Sequence, residues 1–314
     1  ADDPKAAKLL RLECVVRQLN IIGNARTKRQ LIEVELLPAL QARSHEELAV
    51  ELALATRRLK ALDIFKNASC MVDVIPGGDV SDVAVNVQVK EKGTYSLSTG
   101  TYVQGGEGTA EISGSLRNAL GCAEKLNANI SYGHKTSNAF RIDATSLLNF
   151  GSTRRINTSI FQTVANFVKY SSHRERQRGF SATLLDPNSG HEWTYTGAWR
   201  TVWPEKDTNV CHPDEACDSF KSSLRHVYTW DARDSPADPT DGALFRAQTE
   251  LAGLGGNVRF FKNELDGQLV FSTEGGTVAS LTGSVGVIQP LGGDSTRIND
   301  RFFLGGPLPI RGFR

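Results

Sequence analysis

The sequence predicts two architectures in one chain. An α+β module of β-α-α-β-β order occupies residues 1–91, and an antiparallel transmembrane β-barrel of about 11 strands follows over 92–314. Three observations carry this reading. Helical apolar periodicity is confined to the first stretch, and beyond Lys92 apolar and polar residues alternate with period two. Many alternating segments reach ten residues or more, longer than the usual strand of a soluble sheet and suited to crossing a bilayer at a tilt. The polar face carries Asn127, Asn129, Arg141, Asp143 and Arg155. A sandwich core would bury these at several kcal/mol each unless they were paired, whereas a wet barrel lumen accepts them.

In the first region "VVRQLNIIG" reads as a strand ended by Gly23-Asn24. "TKRQLIEVELLPAL" follows with Leu31, Val34 and Leu37 at helical spacing, and Pro38 is expected to disturb its end. Ser44 then caps a second helix, "HEELAVELALATRRLKALDIF", with Glu47 at the capping-box position and an apolar stripe of Leu48, Leu52, Leu59 and Leu62. Two strands close the module, "ASCMVDVIP" and "SDVAVNVQVKE", the latter alternating strictly through Val83, Val85, Val87 and Val89. About 90 residues suffice for one small core.

The barrel strands are predicted near 94–103, 108–118, 123–134, 138–149, 153–168, 174–185, 191–203, 218–230, 243–253, 258–273 and 277–289. In the second, Ala110, Ile112, Gly114 and Leu116 alternate with Glu111, Ser113, Ser115 and Arg117. Leu126, Ala128, Ile130 and Tyr132 do the same in the third, and Phe140, Ile142 and Ala144 in the fourth. Most connections are short. Up-and-down strands place the longer ones, 204–217 and the stretch after Pro290, at one end, while 231–242 falls at the other.

Net charge is +1 with a pI near 7.8, so no whole-chain field points to nucleic acid. A mean hydropathy of −0.29 and the lack of a long apolar run exclude a helical span but not a barrel, whose alternating faces average out. Five cysteines argue against a disulfide framework. Cys14, Cys70 and Cys122 read as packed thiols, and Cys211 and Cys217 in "CHPDEAC" suit a loop disulfide better than a metal site. No HExxH, GxSxG, GxxxxGK[ST] or GxGxxG occurs, and "GLGGN" at 253–257 has the wrong spacing for a phosphate cradle. His173 in "HRERQR" reads as part of a solvated rim. Asp231, Arg233 and Asp234, ahead of Pro236, Pro239 and Gly242, read as a structural turn network. Neither an enzyme activity nor a metal or other cofactor is expected.

The order of elements and three motifs resemble the BamA superfamily of outer-membrane assembly and translocation proteins, in which polypeptide-transport-associated (POTRA) modules precede a barrel. "RNALGCAEKLNANISYG" (117–133) is similar to the second and third barrel strands of that family with their Asn-x-x-Gly turn. "DARDSPADPTDGALFRAQTELAG" (231–253) resembles the turn into the ninth strand, and "DRFFLGGPLPIRGF" (300–313) the signature loop after the eleventh. "KSSLRHVYTWDARDS", "ELAG" and the single POTRA-like module resemble the channel subunit of the mitochondrial sorting and assembly machinery, a β-barrel insertase.

The resemblance implies a non-enzymatic mechanism in which the first barrel strand forms a lateral gate and a precursor strand adds to it by β-augmentation. Here that strand is "TYSLSTGTYV", with Tyr95, Leu97, Thr99, Gly100, Thr101 and Val103 as gate residues. Gly93, Gly100 and a hydroxyl-rich face offer little cross-strand packing. It also implies that the loop of Ile310, Arg311, Gly312 and Phe313 folds into the lumen, where Arg311 meets an acidic group on a later strand. The implied partners are precursor β-barrel proteins, accessory subunits and the lipid bilayer, with no nucleic acid. The implied location is the mitochondrial outer membrane with the module in the intermembrane space, a plastid or bacterial outer membrane being the alternative. Family barrels continue for about five more strands, so the chain reads as part of a longer protein. A protein-conducting import or secretion channel of the same superfamily is the alternative function, and a passive porin a more distant one.

Overall fold

A computed structural model describes residues 13–76, 81–104, 107–134, 137–168, 172–204, 218–273, 275–293 and 295–302. The N-terminal elements are β1 (Val15–Ile22), α1 (Arg29–Leu40), α2 (His45–Ala61), β2 (Phe65–Val74) and β3 (Asp82–Glu91), in the expected order. β3 is central, parallel to β1 and antiparallel to β2. Its four alternating valines are buried against Leu31, Ile32 and Leu36 of α1 and Leu48, Leu52, Ala55 and Leu59 of α2. At the end of β1, Gly23 has φ +95°, and a Cβ there would lie 1.9 Å from the Val89 carbonyl oxygen, so only glycine fits the turn.

Two details differ from expectation. α1 buries Leu31, Ile32, Glu35, Leu36 and Ala39, while Leu37 is exposed. The true stripe contains a carboxylate, Glu35, held by Arg58 at 3.3 Å; burial pushes its pKa up despite that pairing. Pro38 stands inside the helix, which runs two residues beyond it. At α2, Ser44 Oγ accepts from the Glu47 amide at 3.2 Å as a cap should, but Glu47 Oε2 accepts from the Arg43 amide rather than that of Ser44.

The remaining strands are β4 (Tyr95–Gln104), β5 (Glu107–Arg117), β6 (Lys125–Gly133), β7 (Asn138–Leu147), β8 (Arg155–Asn166), β9 (His173–Asp186), β10 (His191–Pro204), β11 (Ser219–Asp231), β12 (Gly242–Ala252), β13 (Phe260–Ser272) and β14 (Val278–Pro290). Each pairs with its neighbours in sequence, giving one 11-stranded sheet from β4 to β14 in which these two are the edges and do not close on each other. The side chains alternate as the sequence requires. On β6, Leu126, Ile130 and Tyr132 are exposed, and Asn129 on the other face donates to Ser113 Oγ at 3.0 Å. Arg155 shares the face of buried Ser159 on β8, and its guanidinium donates to the Ala61 carbonyl at 3.1 Å.

The "HRERQR" run is not a solvated rim. It opens β9, with His173 and Glu175 buried on one face and Arg174 and Arg178 exposed on the other. Cys14 and Cys70 sit within or against the α/β core, and burial raises both thiol pKa values. Cys122 lies in the β5–β6 turn, with Lys28 Nζ 3.1 Å from its sulfur. Cys211 and Cys217 lie outside the described residues.

The compact unit that holds the α/β module also takes in residues 114–127 and 144–155. Within it Glu91, at the end of β3, is a hub: its carboxylate accepts from the Thr27 hydroxyl at 2.7 Å, the Thr27 amide at 2.8 Å, and the Arg26 amide and guanidinium at 3.1 Å. Thr27 Oγ1 in turn accepts from Asn118 Nδ2 at 2.8 Å, and both side chains are buried. Burial alone raises the Glu91 pKa, but the bonds from Thr27 and Arg26 outweigh it and hold the group at about 2. A carboxylate with a depressed folded-state pKa stabilises fully above its unfolded value, near 4.3, and that contribution is lost as pH falls toward 2. Acid titration from pH 5 to 2 is therefore expected to deprotect the Arg26 and Thr27 amides in hydrogen exchange, with Glu91→Gln removing the pH dependence.

Candidate functional site

The first barrel strand, β4, is an edge of the sheet formed by the described strands. β4 hydrogen-bonds to β5 on one side and to no described strand on the other. The β4–β5 ladder is set by the Arg117 amide donating to the Thr94 carbonyl at 2.6 Å, with Ser96 and Ser115 hydroxyls facing each other at 2.7 Å two residues on. Continuing that antiparallel register turns the N–H and C=O groups of Ser96, Ser98, Gly100 and Tyr102 toward β5. Those of Tyr95, Leu97, Thr99, Thr101 and Val103 point to the unpaired side.

All of residues 95–103 are exposed, with Tyr95 at 84%, Leu97 at 74% and Val103 at 77%. A Cβ added at Gly100 would meet nothing within 4 Å. A row of unpaired backbone groups beside such exposed apolar side chains is a template for another strand.

On the inner face lies a group of charges that sequence reasoning missed. Arg200 of β10 makes a bidentate bond to Asp300 of the 3-10 turn Ile298–Asp300, at 2.8 and 2.9 Å, with both side chains almost fully buried. Lys221 of β11 reaches Asp300 at 3.5 Å and Glu250 of β12 at 2.7 Å. Ile298 packs on Val202, and Phe302 lies over Lys262, its ring filling the space that a Cβ at Gly286 would need. The segment after β14 is thus pinned to inward-facing positions of β10, β11, β13 and β14. Ile310, Arg311, Gly312 and Phe313 lie outside the described residues. One hundred residues separate Arg200 from Asp300, and no local pattern in the sequence announces the pairing.

The turn between β11 and β12 is a closed network. Asp231 grips Arg233 through Nε at 2.8 Å and Nη2 at 2.7 Å, and Arg233 Nη1 donates to Gln268 at 2.9 Å. Asp234 accepts from the Thr240 hydroxyl at 2.6 Å and from the amides of Ser235, Thr240 and Asp241; these bonds, led by those of Thr240, hold its pKa at about 2. Pro239 is half-buried within the turn. Gly242 has φ +111°, and a Cβ there would sit 2.4 Å from the Ala232 carbonyl. The carboxylates of Asp231 and Asp234 are thereby engaged in shaping the connection.

The chain is similar to known proteins in sequence and in fold. The chain is 31% identical over 308 residues to the sorting and assembly machinery component 50 homolog of Xenopus tropicalis and 32% identical over 312 residues to that of Homo sapiens. Each alignment covers 96% of this chain and 65% of the relative. A SAM50-like protein of Schizosaccharomyces pombe is 31% identical over 273 residues, covering 82% of this chain and 57% of that one. The chain therefore spans somewhat less than two thirds of the length of these relatives. In fold it is similar to the crystal structure of BamA from Haemophilus ducreyi lacking POTRA domains 1–3, with a TM-score of 0.74 at 15% identity, over 93% of this chain and 59% of that one. The description "Omp85 superfamily domain" matches residues 118–314, well over half of the sequence, and the chain belongs to the Omp85 superfamily.

Proposed function

We propose that the protein containing this chain is a β-barrel insertase of the mitochondrial outer membrane. In this reading precursor strands are templated on the free edge of β4, and the POTRA-like module of residues 1–91 faces the intermembrane space, with the barrel of 92–314 in the bilayer. The observation that carries it is the parity of β4: five residues, Tyr95, Leu97, Thr99, Thr101 and Val103, turn their backbone groups away from β5, toward the side where a further strand, the protein's own or a precursor's, would pair. In lipid such groups must be satisfied by another strand, so an incoming precursor strand gains there what it lacks elsewhere. The mechanism is association and release, with no bond chemistry and no cofactor. Precursor barrels and accessory subunits of an assembly complex are its partners. The names of the relatives as components of a sorting and assembly machinery support this assignment.

The test is site-specific disulfide cross-linking in the full-length protein. Thr101→Cys is expected to form adducts with a cysteine in the terminal strand of an arrested precursor, and Ser113→Cys on the inner face of β5 is not. Efficient barrel insertion without adducts anywhere along β4 would sink the reading. Passage of a polypeptide through the lumen with no effect on barrel insertion would favour the conducting channel instead.

A further inference from the structure

The outer face of the β9–β10 hairpin carries a charge pattern that strand templating does not use. Arg174, Arg176 and Arg178 share the face that holds Phe180, and the register sets them opposite Trp203, Thr201 and Trp199 of β10. The Arg176 guanidinium lies 5.1 Å over the Trp203 ring, and Trp199 packs at a tilt against Phe220 of β11, ring centroids 4.7 Å apart. None of the three arginines has a carboxylate partner among the described residues. The inner face treats its cations differently: Arg200, Lys221 and Arg225 are all paired.

Depth explains where such arginines can stand. The outward residues of β11 run from Phe220 to Trp230, and the far end of the same face gathers Trp193, His226, His191 and Tyr228 in ring contacts of 4.2 to 5.1 Å. Between these aromatic ends lie Phe180 and Leu224, both exposed. Ten residues of strand tilted as barrel strands are cover about 25 Å of depth, the height of the apolar band between two aromatic girdles. Arg178, level with Trp199 and Phe220, therefore marks one membrane interface, and Arg176 and Arg174 lie on its headgroup side. An unpaired arginine is costly on a lipid face at mid-depth and nearly free of that cost at the interface.

A cavity of about 650 Å³ opens at this level, lined by Arg176, Arg178, Trp199, Thr201, Phe220 and Asn257. Its wall is fixed. Asn257 Oδ1 accepts from the Phe220 amide at 2.8 Å while its own amide donates back to the Phe220 carbonyl at 3.2 Å, and at Gly256 a Cβ would come within 2.3 Å of that carbonyl. Asp218, the one acid on the lining, accepts from the Thr201 hydroxyl at 2.5 Å.

We propose that this cavity holds the headgroup of an anionic phospholipid. Two guanidiniums with no carboxylate partner among the described residues supply forked donors suited to a phosphodiester, and the aromatic and aliphatic face toward mid-bilayer supplies a track for the acyl chains. Free phosphate would use the first feature and leave the second idle. The inference rests on the membrane-spanning reading of the barrel and is independent of strand templating at β4.

The full-length protein in mild detergent, offered equal amounts of phosphatidylglycerol and phosphatidylcholine, is to be examined for retained lipid by native mass spectrometry. Wild type is expected to retain one phosphatidylglycerol in preference to phosphatidylcholine. Arg176→Gln/Arg178→Gln is expected to weaken that retention about 25-fold, two arginines at their usual worth beside an anionic surface. Arg178→Lys, which keeps the charge, is expected to preserve most of the preference. Equal retention of the two lipids by wild type, an undiminished preference in the double variant, or displacement of the lipid by millimolar inorganic phosphate overturns the proposal. If the membrane reading itself were wrong, the protein would show no heat-modifiable barrel on gels and would retain neither lipid.

Discussion

Replacing Arg200 with alanine is expected to lower the thermal unfolding midpoint of the detergent-solubilised barrel and to free the Ile298–Phe302 segment. The substitution leaves Asp300 buried with only Lys221 nearby, at 3.5 Å and already engaged by Glu250. Breaking a buried pair from one side costs about 3–5 kcal/mol because the surviving charge is stranded. The amides of Asp300 and Arg301, which close the 3-10 turn onto Arg297 and Ile298, should lose hydrogen-exchange protection first. Arg200→Met combined with Asp300→Leu removes both charges and should recover most of the loss, since apolar replacements of a buried pair are often neutral. An unchanged midpoint and unchanged exchange at Asp300 in Arg200→Ala would show that the pair does not anchor the segment.

The second large effect is expected at β4, and its sign depends on residue parity. Thr99→Pro or Thr101→Pro removes an N–H from the free side while leaving the ladder to β5 intact, a position where edge strands tolerate proline. Each should slow precursor insertion about tenfold, the worth of roughly one net hydrogen bond, with the barrel still folded and heat-modifiable. Gly100→Pro, one residue away, removes a bond within the sheet and should lower the thermal midpoint instead. Equal insertion rates for wild type and both threonine variants would mean that precursors do not pair with this edge.

Much of this was legible in the sequence because period two is a strong signal when sustained. The strands near 191–203 and 277–289 emerge as His191–Pro204 and Val278–Pro290. Misreadings arose where polarity and burial part company. Glu35 occupies the buried stripe of α1 because Arg58 neutralises it, whereas apolar spacing alone points to Val34 and Leu37. "HRERQR" looks like a solvated run until its alternation is taken seriously: His173 and Glu175 go inward and the arginines outward. Arg200 and Asp300 meet through sheet geometry and the fold-back of a distant segment, and no single-sequence pattern encodes a contact of that span. The role of β4 is legible only through resemblance, because nothing within the strand itself says which strand pairs on its far side.

The parity of β4 carries a consequence for whatever pairs there. The residues that turn their backbone groups to the free side, Tyr95, Leu97, Thr99, Thr101 and Val103, also direct their side chains to the face shared with Gly114 of β5. A second strand keeps its own apolar face on that side only if it shifts in steps of two residues, since a shift of one sends every side chain to the opposite face. The edge therefore acts as a ruler with a pitch of about 6.6 Å, passing strands whose alternation is in phase and rejecting those that are not.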